Sequence, residues 1–260
     1  MNKPLLEINN LVMRFQGITA LDDVSFTMAE GSITSLIGPN GAGKTTLFNC
    51  VTGMYTPTSG KVAFDNVDIT GEAAHLVSRH GVARTFQNLA LFGGLSVLDN
   101  LLVGTYRQGT SGLLQGAFLT RKARAEQRAA VAAAHEVLEF LGMPDTADLL
   151  PGEMPYGRQK QVEFARALMQ KARLVLLDEP MAGMSTAEKS AMTALIQRAR
   201  QKFGMSFLIV EHDIPVIMDI SDKIVVLDFG RKIAEGTPEV VQANEAVIAA
   251  YLGTDHTAAA

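Results

Sequence analysis

The 260-residue chain has a single cysteine and no apolar run near the ~18 residues of a membrane-spanning helix. A lone Cys50 closes no disulfide within the chain, so a reducing, cytosolic setting is expected. Cys50 itself reads as a small buried hydrophobe rather than a reactive thiol. The opening Met1-Asn2-Lys3-Pro4 lacks the apolar stretch of a signal peptide. The expectation is a chain that reaches a membrane only through a partner. Positive charge is also scarce: 23 Lys and Arg against 27 Asp and Glu leave a net charge of −4, so no overall field points to nucleic acid. The basic stretch Arg121 to Arg128 is interrupted by Glu126 and carries no aromatics. It reads as a solvated helix face. Internal repeats and low-complexity tracts are missing too.

What is present is organised around Gly38-Pro39-Asn40-Gly41-Ala42-Gly43-Lys44-Thr45-Thr46. The apolar run Ile33 to Ile37 before it predicts a buried strand, and Leu47 to Val51 after it a helix. Glycine, Lys44 and Thr45 therefore stand in Walker A register between a strand and a helix. Such a loop turns backbone N–H groups toward a phosphate at the positive end of a helix. Lys44 can then reach the β- and γ-phosphates, and the Thr45 hydroxyl can ligate Mg²⁺. The loop is predicted to bind a nucleoside triphosphate.

Around it, Leu5 to Asn9, Val12 to Phe15 and Asp22 to Met28 read as strands. Lys61 to Phe64 and Val67 to Ile69 flank an Asp65-Asn66 hairpin turn. A helix is expected over Leu76 to His80, then a strand from Val82 to Phe86 that ends at Gln87. The middle changes character. Asn88 to Gly116 reads as loop and short helix. Arg121 to Leu141 reads as a helix with Val131, Ala134, Leu138 and Leu141 on one face, closed by Gly142 and Pro144. This is expected to be an inserted helical subdomain. Beyond it, helices over 159–169, 187–202 and 214–220 alternate with strands over 174–177, 207–210 and 224–227, and Phe229 to Lys232 turns the chain back. The pattern argues an α/β fold with a parallel sheet covered on both faces.

Two strand ends carry further chemistry. Leu174 to Leu177 delivers Asp178 and Glu179 at the edge where parallel sheets bind ligands. Asp178 suits the Mg²⁺ shell and Glu179 a general base on the attacking water. His212 ends the strand before it at the same edge, where it can sense a γ-phosphate. Gln87 can contact Mg²⁺ or water, although glutamine also serves as an ordinary capping residue.

Walker A over 38–45, Gln87, Gly157-Arg158-Gln159 before a helix, the Asp178-Glu179 strand and His212 together resemble the ATP-binding domains of ABC transporters. The likeness spans nearly the whole chain. It implies a P-loop ATPase fold, with an N-terminal antiparallel β subdomain, and a single domain over 1–260. Residues 1–87 and 160–260 would form its ATPase core and 88–159 the helical subdomain. It also implies ATP and Mg²⁺ as cofactors, Phe15 as the aromatic stacked on adenine, Gln87 as the Q-loop glutamine and His212 as the switch histidine. Pro155, Tyr156, Gly157 and Arg158 would be the signature that completes a partner's ATP site, and Gly183, Met184 and Ser185 the D-loop. Arg84 to Asn88, Tyr156-Gly157, Val210 to Asp213 and Gly230 to Pro238 further resemble the ATP-binding subunits of branched-chain amino acid importers. Such a subunit sits on the cytoplasmic face of the plasma membrane. Its partners would be two permeases, a second and different ATP-binding chain and, indirectly, a solute-binding protein outside; nucleic acid would not be among them. Residues 88–106, with Leu89, Leu91, Phe92 and Leu95, would meet the permease, or equally form core.

Two residues depart from the family pattern. Pro155 stands where the signature has serine, which removes a hydroxyl and an N–H. Losing one charge-assisted hydrogen bond there would weaken the partner's site by about 1.5–3 kcal/mol. Ser185 stands where the D-loop often has aspartate. The alternative class is a soluble ABC ATPase of DNA repair or translation, whose long coiled coils or doubled ATPase domains this chain lacks.

Overall fold

The computed structural model describes residues 3–85, 89–105 and 121–252. Its central sheet begins with β3 (Ile33–Ile37), in which all residues are buried, as a strand covered on both faces must be. Around it run β6 (Val82–Arg84), β7 (Leu174–Asp178), β8 (Ser206–Val210), β9 (Lys223–Asp228) and β10 (Arg231–Gly236), in the order β10-β9-β3-β8-β7-β6. All pairings are parallel except β9 with β10, which the turn at Phe229-Gly230 makes antiparallel. Register fixes the functional edge: Val210 lies opposite both Leu36 and Asp178. The loop after β3, the end of β7 and the end of β8 therefore leave the sheet side by side.

A second sheet is antiparallel, in the order β2-β1-β4-β5, with β1 (Pro4–Phe15), β2 (Ile18–Ala29), β4 (Ser59–Phe64) and β5 (Val67–Asp68). Two separate strands were expected over 5–15, but one strand runs through. Beyond the buried Leu5, the alternating buried residues are Leu6 and Ile8, then Leu11 and Met13, a change of phase that one extra residue produces. That irregularity lies between Ile8 and Leu11, where Asn10 has φ 49°. Its N–H donates to Ser25 Oγ (2.7 Å) and its Nδ2 to Asp23 Oδ1 (2.7 Å), so the polar pair that looked like a break is a pinned bulge. Helix α1 (Lys44–Val51) packs Leu47, Phe48 and Val51 into the core that both sheets share. Helix α2 (Ala74–His80) leads into β6.

Contacts divide the chain into two compact units, one holding 3–84, 173–182 and 196–252 of the described residues, the other 85–172 and 183–195. The second unit contains α3 (Val97–Val103), α4 (Arg121–Leu141) and α5 (Tyr156–Met169), which pack on one another. Helix α5 starts at Tyr156, three residues earlier than expected, with Pro155 as its N-cap. Inside this unit Arg166 donates to the carbonyl of Ala90 (2.5 Å), and the buried Asn100 brackets the N–H and carbonyl of Phe92. These bonds hold the 89–95 segment with Leu89 and Leu91 half-buried and Phe92 and Leu95 exposed.

The remaining helices are α6 (Thr186–Phe203), α7 (Ile214–Ile220), α8 (Pro238–Gln242) and α9 (Glu245–Leu252). Ile217, Val241 and Val247 from the last three cover Ile37, Ile224 and Val226 of the central sheet. Strand β10 and the two helices after it had no clear sequence signal beyond the turn.

Candidate functional site

The phosphate-type loop runs from the end of β3 to the start of α1. Gly38 has φ 151°, and a Cβ there would run into the carbonyl oxygen of Leu227 on β9. Gly43 has φ 101° beside the carbonyl of Ala20, so these two positions require glycine. The loop, with Ala20, Glu179 and His212, lines one pocket, to which Asn40, Gly41, Ala42, Gly43, Lys44, Thr45 and Thr46 all contribute. Lys44 is buried, and its ammonium donates to the carbonyls of Gly38 (2.6 Å) and Pro39 (2.9 Å). Burial pushes its pKa down, and the nearby carboxylates of Glu179 and Asp178 pull it back up.

Asp178 ends β7, buried, and pairs with Arg84 Nη2 at 2.7 Å. Arg84 also donates to Asn49 Oδ1 (2.5 Å) of α1 and lies over the Phe48 ring. One guanidinium thus ties the strand of Asp178 to the helix that begins with Lys44 and Thr45. Glu179 follows in the left-handed region at φ 49°, which costs a non-glycine residue about 1–2 kcal/mol. Its N–H donates to the carbonyl of Val210 (2.9 Å), and its Oε1 lies 2.9 Å from His212 Nε2. Glu211, buried beside them, accepts from the N–H of Met181 (2.8 Å) and of His212 (3.0 Å).

Phe15 closes β1, partly exposed, with its ring edge-on to Tyr55 at 5.3 Å and 75°. Gln87 lies outside the described residues. Among the described residues no three His, Cys, Asp or Glu side chains cluster as a metal cage. Thr45 and Asp178, hard oxygen donors beside a loop built for phosphate, suit a Mg²⁺ ion that takes its other ligands from phosphate and water.

The second unit joins the remaining predicted residues. Pro155 offers only its carbonyl, which accepts from the N–H groups of Arg158 (2.9 Å) and Gln159 (3.1 Å). Arg158 is exposed and donates to Gln161 (3.2 Å). Tyr156 packs its ring over Gly183 at the D-loop position, where φ is 77°, and Met184 is buried. Ser185 donates its N–H (2.9 Å) and hydroxyl (2.7 Å) to Glu188, a capping box at the start of α6. The same carboxylate lies against Gly157, where a Cβ would run into it.

Sequence reading missed Tyr55, Arg84, Glu188 and Glu211. Only Glu188 had a local signal, the Ser-x-x-Glu spacing from Ser185. The others are recognisable only by what the fold brings against them.

Residues 21–182 match the family model described as ABC transporter. The chain belongs to the ABC transporter ATP-binding family. Residues 231–257 also match the model described as branched-chain amino acid ATP-binding cassette transporter. Among similar proteins, the high-affinity branched-chain amino acid transport ATP-binding protein BraF of Pseudomonas aeruginosa is 42% identical over 97% of this chain and 99% of its own. The Escherichia coli protein LivG, with the same description, is 40% identical over the same shares. A solved ATP-binding cassette of an ABC transporter in its ADP conformation superposes with a TM-score of 0.85 at 34% identity, over 97% of this chain and 100% of that one. This ABC chain is accordingly an ATPase of the P-loop type, and its two sheets and helical unit are the ABC ATPase fold. The DNA-repair and translation alternative is not favoured by these likenesses.

Proposed function

We propose that this ABC ATPase energises uptake of branched-chain or related amino acids. The observation that carries the mechanism is the Glu179–His212 pair, 2.9 Å apart, in the same pocket as the Lys44 loop. Similarity to transport proteins along the full chain, and the match over residues 231–257, support the cargo class.

In this reading the loop N–H groups and Lys44 hold the phosphates, and Phe15, braced by Tyr55, stacks on the adenine. Thr45, Asp178 and Gln87 hold Mg²⁺, which when bound neutralises phosphate charge. Glu179 takes the proton of the attacking water, and His212, hydrogen-bonded to it, reports the γ-phosphate. Pro155 to Arg158 and the D-loop residues Gly183 to Ser185 face the site of a second ATP-binding chain. Pro155 leaves that site weaker than this chain's own. Residues 1–87 and 160–260 act as ATPase core and 88–159 as helical subdomain. The exposed Phe92 and Leu95 meet a permease at the cytoplasmic face of the plasma membrane. Among the described residues no helix is long and apolar enough to cross a membrane, so attachment runs through two permeases, with a solute-binding protein on the far side.

Purification of the tagged chain from gently solubilised native membranes, followed by mass spectrometry, tests this. Two permeases and a different ATP-binding chain are expected. Recovery with ribosomes or repair factors and no membrane protein would overturn the transport reading.

A further inference from the structure

We infer that Glu211 is a positioning residue for hydrolysis: its buried carboxylate ties the turn after Glu179 to the backbone of His212 and so fixes the Glu179–His212 pair. The two oxygens divide the work. Oε1 accepts from the N–H of Met181, two residues beyond Glu179, and Oε2 from the N–H of His212. Glu179 is thereby held from both sides: its own N–H is on the carbonyl of Val210, and the chain two residues later is on Glu211. A left-handed backbone at a glutamate persists only where its surroundings over-determine it. Val210 and Glu211, consecutive residues at the end of β8, supply that constraint.

A carboxylate is the group this junction needs. Two inward N–H donors face one side chain, and a carboxyl group offers an oxygen to each. Glutamine would turn one acceptor into an NH₂ directed at an N–H. Burial and the charge of Glu179 push the Glu211 pKa up, while the two backbone bonds and His212 hold it down. The group is thus kept buried at the end of β8 against a desolvation cost that its two backbone bonds offset.

The inference rests on Glu179 and His212 being the hydrolytic pair, which Glu179→Gln tests separately. Turnover is measured in the assembled transporter, and nucleotide binding and His212 resonances on the full chain with ADP. For Glu211→Gln, kcat is expected to fall about tenfold or more while KM for ATP and ADP affinity stay within about twofold. The imidazole resonances of His212 should move as well. Glu211→Asp keeps both acceptors on a shorter stem and should recover part of kcat. In a Glu179→Gln background, adding Glu211→Gln should lower residual turnover no further, because both act through one group. Undiminished kcat with unmoved His212 resonances in Glu211→Gln, or an additive loss in the double variant, would overturn the inference. If Glu211→Gln does not fold, Glu211→Asp decides: a reduced kcat with shifted His212 resonances supports it, and wild-type values overturn it. Full turnover in Glu179→Gln would instead sink the reading of the pair itself.

Discussion

The edge formed by the ends of β7 and β8 and the junction of Pro155–Arg158 with Ser185–Glu188 hold their carboxylates by opposite means. At the first, Asp178 and Glu211 are buried and bound by Arg84 and by backbone N–H groups. At the second, the half-buried Glu188 caps the start of α6 by accepting from Ser185 and lies against Gly157 at the start of α5. Buried partners fix a geometry for chemistry, since any displacement leaves a charge without its mate. Capping groups are cheaper to exchange, worth about 0.5–2 kcal/mol. The contrast separates carboxylates locked by buried partners from one held by a helix cap.

The largest expected effect lies at the buried edge. Glu179→Gln should lower ATP turnover by about 10²–10⁴-fold with nucleotide binding retained, read by steady-state hydrolysis and ADP titration. Arg84→Met comes next. Leaving Asp178 buried without its guanidinium should cost about 3–5 kcal/mol of stability, measured by urea unfolding. A variant as stable as the parent would show that this pair is not what secures the edge.

How much of this contrast was readable beforehand follows from range. Ile33–Ile37, Leu174–Asp178 and Ile214–Ile220 stood out because apolar runs or periodicity announce them within a few residues. Arg121–Leu141 did so through its one apolar face and the Gly142 stop. The Walker loop, Asp178, Glu179 and His212 could be placed at one edge because parallel strands end together. The sheet order with β3 between β8 and β9, by contrast, is a tertiary result with no local trace. So are Tyr55 against Phe15 and Arg84 against Asp178, 94 residues away. Glu211 and Glu179 are both acids at strand ends, and only burial distinguishes the one that supports from the one that faces the pocket.

The capping junction should answer more gently. Pro155→Ser should strengthen ATP-driven pairing with the partner chain by about 1.5–3 kcal/mol, read as a lower ATP concentration for complex formation. An unchanged midpoint would mean that Pro155 does not set the strength of the partner's site. Glu188→Gln weakens a capping box and should lower stability by about 0.5–2 kcal/mol in thermal unfolding, without loss of ADP binding to this chain's own loop. Smallest of all is Cys50, whose thiol burial pushes up to about 11. It should resist alkylation at pH 8 in the native chain and react fully in urea; rapid native labelling would place that helix face outside the core.

The most direct test of the whole account is uptake by the purified transporter in proteoliposomes supplied with ATP, with the parent chain or Glu179→Gln. Labelled leucine should accumulate only with the parent chain, and hydrolysis and uptake should disappear together in the variant. Uptake that persists without hydrolysis, or hydrolysis that drives no amino acid across, would contradict the assignment of this chain as the motor of an amino acid importer.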